Sequence, residues 1–344
     1  MASRRGADVP NFSLGSRAAV GLAPESGLAM RMTTGGQPDI ARAGHGWNPA
    51  GAPASMRRCV QGRSGKEAAG RGAEAMDETE ELIQLCVRCL ASQMSIGPGI
   101  ELHMTRSCVL GLTDEPLADF NRLTLGADPD AEGFLVRSVA RAKERGRPLA
   151  AVMSPRVARS LAPVATRLGL NAVGTAPLMV LRPDVPVHPS RPTHVVRALG
   201  PELVGIAGDL IAAAFGTPRD VIARCIDVGM TETSGVETYI AWGDEGPMCT
   251  VSVTPTGDTG GVTLMATPPE HQRKGMGRAL LTQVIADYRR RGVERFHLGA
   301  TEAGRRLYES LGFKLVADLS VWVLERPVPA QDERALGEAI SDVR

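Results

Sequence analysis

Met265-Ala266-Thr267-Pro268-Pro269-Glu270-His271-Gln272-Arg273-Lys274-Gly275-Met276-Gly277-Arg278 is the stretch on which the reading of this chain turns. It follows a strand that starts near Gly261. It leads into a helix in which Met276, Leu280, Leu281, Val284, Ile285 and Tyr288 recur at helical spacing up to Gly292. Amides at a helix start have no intrahelical acceptor and sit at the positive end of the helix dipole, so they bind anionic oxygens. Gly275 and Gly277 let an anion approach the backbone, and Arg273, Lys274 and Arg278 add positive charge beside it. A pyrophosphate suits such a place. A helix start with surface cations gives the same local pattern, so the flanking sequence has to discriminate.

Upstream, strands are expected at His194 to Arg197, Thr238 to Trp242, Met248 to Thr254 and Gly261 to Ala266. The last three are separated by turn-rich Gly243 to Gly246 and Thr256 to Gly260. Helices are expected at Pro201 to Phe215 and Arg219 to Asp227. Downstream come a short strand at Arg295 to Leu298, a helix at Ala303 to Leu311 stopped by Gly312, and a strand at Lys314 to Leu324. These elements make an α/β fold on a mixed sheet.

The first half repeats this order. A helix at Glu78 to Ala91 precedes strand-like Glu101 to Met104 and a long polar-and-apolar segment containing Phe120 and Asn121. A helix from Ala131, a strand at Leu149 to Met153, a helix at Val157 to Leu168 and a strand at Ala172 to Leu181 follow. Leu168-Gly169-Leu170 lines up with Leu311-Gly312-Phe313, and Val173, Val180 and Leu181 then fall on Val316, Val323 and Leu324 without a gap. Two diverged copies of one fold are expected. Four prolines between Arg182 and Pro192 mark the connector. The expected division is a disordered tail over 1–75, an N-terminal copy over 76–182, a linker over 183–192, a C-terminal copy over 193–326 and a tail over 327–344.

The 39 basic and 38 acidic residues nearly cancel, which argues against a nucleic-acid or anionic-membrane partner. The basic cluster Arg57, Arg58, Arg63 and Lys66 is a weak exception. No apolar run reaches the roughly 20 residues of a membrane span, and a cytoplasmic protein with reduced cysteines is expected. Cys86 and Cys89 lie among Leu82, Ile83, Leu85, Val87 and Leu90, with no second pair at zinc-site spacing, and read as helix-packing thiols; no metal is expected. Asp8, Glu25 and Asp39 interrupt what could otherwise be an arginine-rich transit peptide, and Met76 is an alternative start.

The loop Gln272 to Gly277 and the downstream run Leu307-Tyr308-Glu309-Ser310-Leu311-Gly312-Phe313 together resemble the two hallmarks of GNAT-superfamily N-acetyltransferases. Met265 to Pro268 and Ala303-Gly304 look like a bacterial subgroup with a degenerate N-terminal copy. The resemblance spans Thr193 to Arg326 firmly and Met76 to Leu181 loosely. It implies the GNAT acyl-CoA N-acyltransferase fold in two tandem copies, acetyl-CoA as co-substrate and an amine acceptor, transferring groups other than amino-acyl groups. A homodimer is compatible with it. Met265, Ala266 and Thr267 would meet the pantetheine arm and polarise the thioester, and Gln272, Arg273, Lys274, Gly275, Met276, Gly277 and Arg278 would hold the diphosphate. Tyr308 would protonate the leaving thiolate; otherwise it is a half-buried helix aromatic. An acyl-CoA-binding sensor or scaffold without catalysis is the alternative.

For the base that frees the acceptor amine, Glu237 is the first choice against a solvated strand-end charge. His297 could face the site, and Glu270 and His271 should face solvent. In the first copy Asp128-Pro129-Asp130-Ala131 stands where Lys274 to Gly277 stand in the second. Acids there repel phosphate, so one coenzyme per chain is expected.

Overall fold

The computed structural model describes residues 77–95, 99–189 and 193–325. The expected tails, the alternative start at Met76, the basic cluster and the linker end at 190–192 lie outside them.

Asp77 opens α1 (Glu78–Gln93) by accepting from the Thr79 amide, with Glu78, Glu80 and Glu81 in the first turn, where the helix dipole favours acids. There follow β1 (Glu101–Met104), β2 (Cys108–Leu112), β3 (Arg122–Leu125), α2 (Ala131–Glu144), β4 (Leu149–Met153), α3 (Pro155–Arg167) and β5 (Asn171–Leu181). The second half comprises β6 (His194–Arg197), α4 (Gly200–Phe215), α5 (Arg219–Cys225), α6 (Val228–Glu232), β7 (Glu237–Gly243), β8 (Gly246–Thr256) and β9 (Thr259–Ala266). It ends with α7 (Met276–Arg290), β10 (Arg295–Gly299), α8 (Glu302–Ser310) and β11 (Lys314–Leu324).

Two expectations need correction. The segment between Met104 and Ala131, to which the sequence reading gives no element, carries β2 and β3. All five residues of β2 are buried, so its two covered faces leave no alternation to read. The helix expected from Arg219 to Asp227 is broken at Ile226, which is extended, and Asp227 caps α6 by accepting from the Met230 amide at 2.8 Å.

All eleven strands form one sheet in the order β1-β2-β3-β4-β11-β5-β10-β9-β8-β7-β6. The last strands of the two halves have changed places: β11 lies against β4, and β5 lies against β10. Between them β5 and β11 run antiparallel, with Val180 opposite Lys314 and Asn171 opposite Val323. The sequence equivalence of Val180 with Val323 makes Asn171 equivalent to Lys314, so each of these pairs maps onto the other. The internal repeat is therefore a pseudo-twofold relation centred on β5 and β11, and the sheet is continuous across it.

Alternation along the strands separates two helix layers. Leu149, Ala151 and Met153 of β4 pack with α2 and α3, while Val152 packs under α1. Phe296 and Leu298 of β10, with Met179 and Leu181 of β5, join the core under α7 and α8. Leu178 and Val180 face α1. The helices α4, α5 and α6 cover Ile240, Leu264 and Ala266. Thus α2, α3, α7 and α8 lie on one face, and α1, α4, α5 and α6 on the other.

Candidate functional site

The parallel strands β9 and β10 are paired only at their start, Thr259 with Arg295, Gly260 with Phe296 and Gly261 with His297. Beyond these residues they separate. A bulge on the β8 side helps to turn β9 away: Thr250 pairs with Ala266 and Ser252 with Thr263, so β9 has one residue too many. The extra length is absorbed at Leu264, whose φ of 49° is left-handed and costs a non-glycine residue roughly 1–2 kcal/mol. The bulge leaves Leu264 and Ala266 buried against α4 while half-buried Met265 packs towards α7.

Past Ala266 the chain turns through Pro269–His271 into the glycine loop. The Gln272 side chain donates to the Thr267 carbonyl at 3.0 Å and so pins the loop to the strand end. Arg273 (φ 59°) and Gly275 (φ 78°) are both left-handed, and Gly275 begins α7 without any side-chain cap. The starts of α1, α3 and α8 are capped by Asp77, Ser154 and Thr301, whereas α2, α4 and α5 share with α7 the lack of a side-chain cap. The first-turn amides of α7 therefore retain their capacity to bind an anion. Gln272, Arg273, Lys274 and Gly275 are exposed beside them. Met276 points inward, in the core with Tyr308 and Leu298. Arg278 is engaged elsewhere, donating to the Ser310 carbonyl at 3.2 Å and to its hydroxyl, and it ties α7 to α8.

Gly277 is where three elements meet. A Cβ there would lie 2.9 Å from Met265 Cε, 3.4 Å from Thr267 Oγ1 and 3.9 Å from Leu307 Cδ2. The next residue after Leu307, Tyr308, is 8% exposed and meets Phe313 edge-on at 5.8 Å. Burial alone pushes its phenol up to about 12, so it is a proton donor throughout the neutral range. Met265 and Thr267, the loop and the tyrosine helix thus lie together on the α7 face, while Ala266 turns to α4.

On the opposite face, the opening between β9 and β10 borders a cavity of about 610 Å³. Val262, Thr263 and Leu264 line it from β9, and His297, Leu298 and Gly299 from β10. The other walls come from α1, from the loop 113–122 of the first half and from α5 and α6. Gln93 of α1 donates to Thr263 Oγ1 at 2.7 Å, and Glu81 accepts from Arg295 at 2.8 Å, so α1 is fastened to the second half. Sequence reading did not find this cavity, because its walls are some 200 residues apart in the chain.

Among the candidate bases, Glu237 does not line this cavity. It is neither a solvated strand-end charge nor free to take a proton. Burial raises its pKa, but Arg291, at 2.7 and 2.8 Å, and the hydroxyls of Tyr239 and Tyr288 outweigh that and hold it at about 2. Arg291 is the residue that ends α7, so Glu237 fastens the end of the helix opposite the glycine loop. His297 does face the cavity. Its Nδ1 lies 3.6 Å from Cys86 Sγ and its Nε2 3.8 Å from Cys89 Sγ, and burial pulls it down to about 4, so it is neutral at pH 7. Burial also raises both thiols, Cys86 to about 12, in keeping with packing thiols. Among the described residues no group of three or more His, Cys, Asp or Glu could hold a metal. No helix among them is long and apolar enough to cross a membrane.

In the first half the corresponding strands do not part. β3 and β4 stay paired from Arg122 with Ala150 to Leu125 with Met153, the last residues of both strands. At the start of α2, Asp128 accepts from Thr105 Oγ1 at 2.8 Å and from the Asp130 amide at 3.0 Å.

Residues 234–315 match the acetyltransferase (GNAT) domain model. No curated protein matches the chain. Among solved structures, a GCN5-related N-acetyltransferase from Kribbella flavida is similar, with 17% identity, a TM-score of 0.55, and coverage of 75% of this chain and 99% of that one. Neither half alone amounts to 75% of the chain, so the shared fold takes in parts of both. A GCN5-related N-acetyltransferase from Sphaerobacter thermophilus (16% identity, TM-score 0.47, 73% and 94% covered) and a tandem GNAT protein from the clavulanic acid biosynthesis pathway (15%, 0.48, 70% and 88%) are more distant. The glycine loop, the opened strands and the matched residues fall on the same elements, so the C-terminal half carries a stretch, 234–315, that matches the acetyltransferase (GNAT) domain.

Proposed function

We propose that this chain is an acyl-CoA-dependent N-acyltransferase that moves an acetyl group from acetyl-CoA to an amine by direct attack in a ternary complex. The observation that carries this reading is the parting of β9 and β10, with an uncapped helix start on one face and a cavity on the other. Donor and acceptor can reach one point from opposite sides of the sheet. The residues present fit the donor: the first-turn amides of α7 with Arg273 and Lys274 for the diphosphate, and the β9 end from Met265 to Thr267 for the pantetheine arm.

In the reaction the amine nitrogen bonds to the acyl carbon, the carbon–sulfur bond breaks, and the thiolate takes the Tyr308 proton while the amine proton leaves through the cavity. The main-chain amide of Met265 or Ala266 polarises the thioester oxygen. Tyr308 suits the donor role because burial keeps it protonated. Thiol release from acetyl-CoA over a panel of amines tests the proposal.

One observation favours a second reading, a sensor that binds acyl-CoA without turnover: Leu264 and Met265 bring no carboxylate to the opening, and Glu237 is held by Arg291. A sensor would be stabilised thermally by acetyl-CoA and release no thiol with any amine.

A further inference from the structure

Arg122 begins β3 and lines the cavity from the first half. It is positioned by a loop that Asn121, fully buried, folds on itself: its amide nitrogen donates to the carbonyls of Glu115 at 2.9 Å and Leu117 at 3.0 Å, and its oxygen accepts from the Thr113 amide at 2.8 Å. Phe120, next in the loop, is buried in the core of the second half with Val204 and Leu264. Glu115 accepts twice from Arg224 of α5. The loop is therefore a rigid bridge between the halves, and the residue after it faces their shared cavity.

Three of the carboxylates on the cavity walls are committed to other groups. Glu115 is paired with Arg224, Asp114 with Arg145 at 2.6 Å, and Asp227 caps α6. Among the described residues Arg122 has no ion pair and no hydrogen bond; Asp119 and the Cys86 thiol act on it only through space. Burial disfavours its charge. A half-buried guanidinium that lines a cavity, with only the through-space field of Asp119 as an acidic partner, can receive an anionic group. The fork of donors matches a carboxylate in two-point contact. Asp114, Glu115, Asp119 and Asp227 on the same walls would repel a dianion more than a monoanion.

Resting on the acyltransferase reading, we infer that the acceptor is a small amine bearing a carboxylate, which Arg122 holds while the amine reaches the opening between β9 and β10. The N-terminal half then supplies acceptor specificity to a reaction whose donor site lies wholly in the C-terminal half.

The test compares amino acids with their decarboxylated amines, using full-length protein and acetyl-CoA, in thiol release and in thermal protection of the CoA-loaded protein. The carboxylated member of a productive pair should show kcat/KM about tenfold or more higher. Arg122→Gln should remove that preference by lowering the carboxylated member alone, Arg122→Lys should restore part of it, and KM for acetyl-CoA should not change. Because Arg122 makes no ion pair or hydrogen bond that the substitution would break, the Arg122→Gln melting temperature should stay close to that of the wild type. Equal use of both members, equal losses of both in Arg122→Gln, or absence of turnover and protection by every amino acid while acetyl-CoA still binds would each overturn the inference. Failure of acetyl-CoA to bind would instead overturn the donor reading beneath it.

Discussion

The two halves differ at the starts of α2 and α7 and agree at their ends. At the start, α7 presents glycines, open amides and exposed cations beside separated strands, where α2 presents Asp128 and Asp130 beside strands that stay paired. At the end, Arg145 closes α2 and bonds Glu101, the first residue of β1, while Arg291 closes α7 and bonds Glu237, the first residue of β7. Both carboxylates are held at about 2, Glu101 chiefly by Arg141 with Arg145 beside it. The difference teaches that the helix starts have diverged in charge and in strand pairing, whereas a carboxylate–arginine strut fastens the helix end in both halves. This is why Glu237, however well placed in the sequence, is architecture.

The comparison can be broken most severely at the tyrosine. By the repeat alignment Tyr308 stands where the first half has Ala165. Tyr308→Phe should lower kcat about 100-fold with acetyl-CoA affinity nearly unchanged, the usual scale for a lost general acid; unchanged turnover in a thiol-release assay would remove the phenol from the mechanism.

Giving α7 the acidic start of α2 is the next largest change. Arg273→Glu with Lys274→Glu should weaken acetyl-CoA binding about 30-fold at low ionic strength, from about 1 kcal/mol per side chain. The effect should shrink with added salt. Gly277→Val should cost about tenfold, because the new side chain meets Met265 and Thr267 where the pantetheine arm is expected. Calorimetry should return one acetyl-CoA per chain, and a value near two would mean that the acidic start of α2 is no barrier.

The smallest effect on function belongs to the shared strut. Glu237→Gln should leave acetyl-CoA affinity alone and destabilise the fold at pH 7 by about 2 kcal/mol, discounted for the half-exposed Arg291. Since the folded-state pKa is depressed, this stabilisation exists above about 4.5 and fades as pH falls from there towards 2. The wild type and the variant should therefore converge in acid melts. Glu101→Gln should follow the same course with a smaller amplitude, its carboxylate being the more exposed of the two.

Local features were legible in the sequence. The glycine loop, the helix after it and the tyrosine run are recognisable because each depends on neighbours within a few residues: a helix start leaves its own amides free, and a stripe of Leu280, Val284 and Tyr288 declares its own period. The repeat was legible too, through the alignment of Val180 with Val323 that the strand register reproduces. Hidden were β2, whose burial on both faces erases alternation, β3, which is only four residues long, and the left-handed bulge at Leu264, which no residue preference would place at a leucine.

What the amino acids fixed by themselves, then, was the kind of helix entrance α7 would be and the presence of two related halves. Tertiary structure alone decided that β5 and β11 trade places, that β9 and β10 part company, and that Arg122, Cys86 and His297 share one cavity. The reason is range: capping and periodicity act over one or two turns of chain, whereas strand exchange and cavity walls depend on which distant surfaces best bury one another, and that choice is made only when the whole sheet assembles.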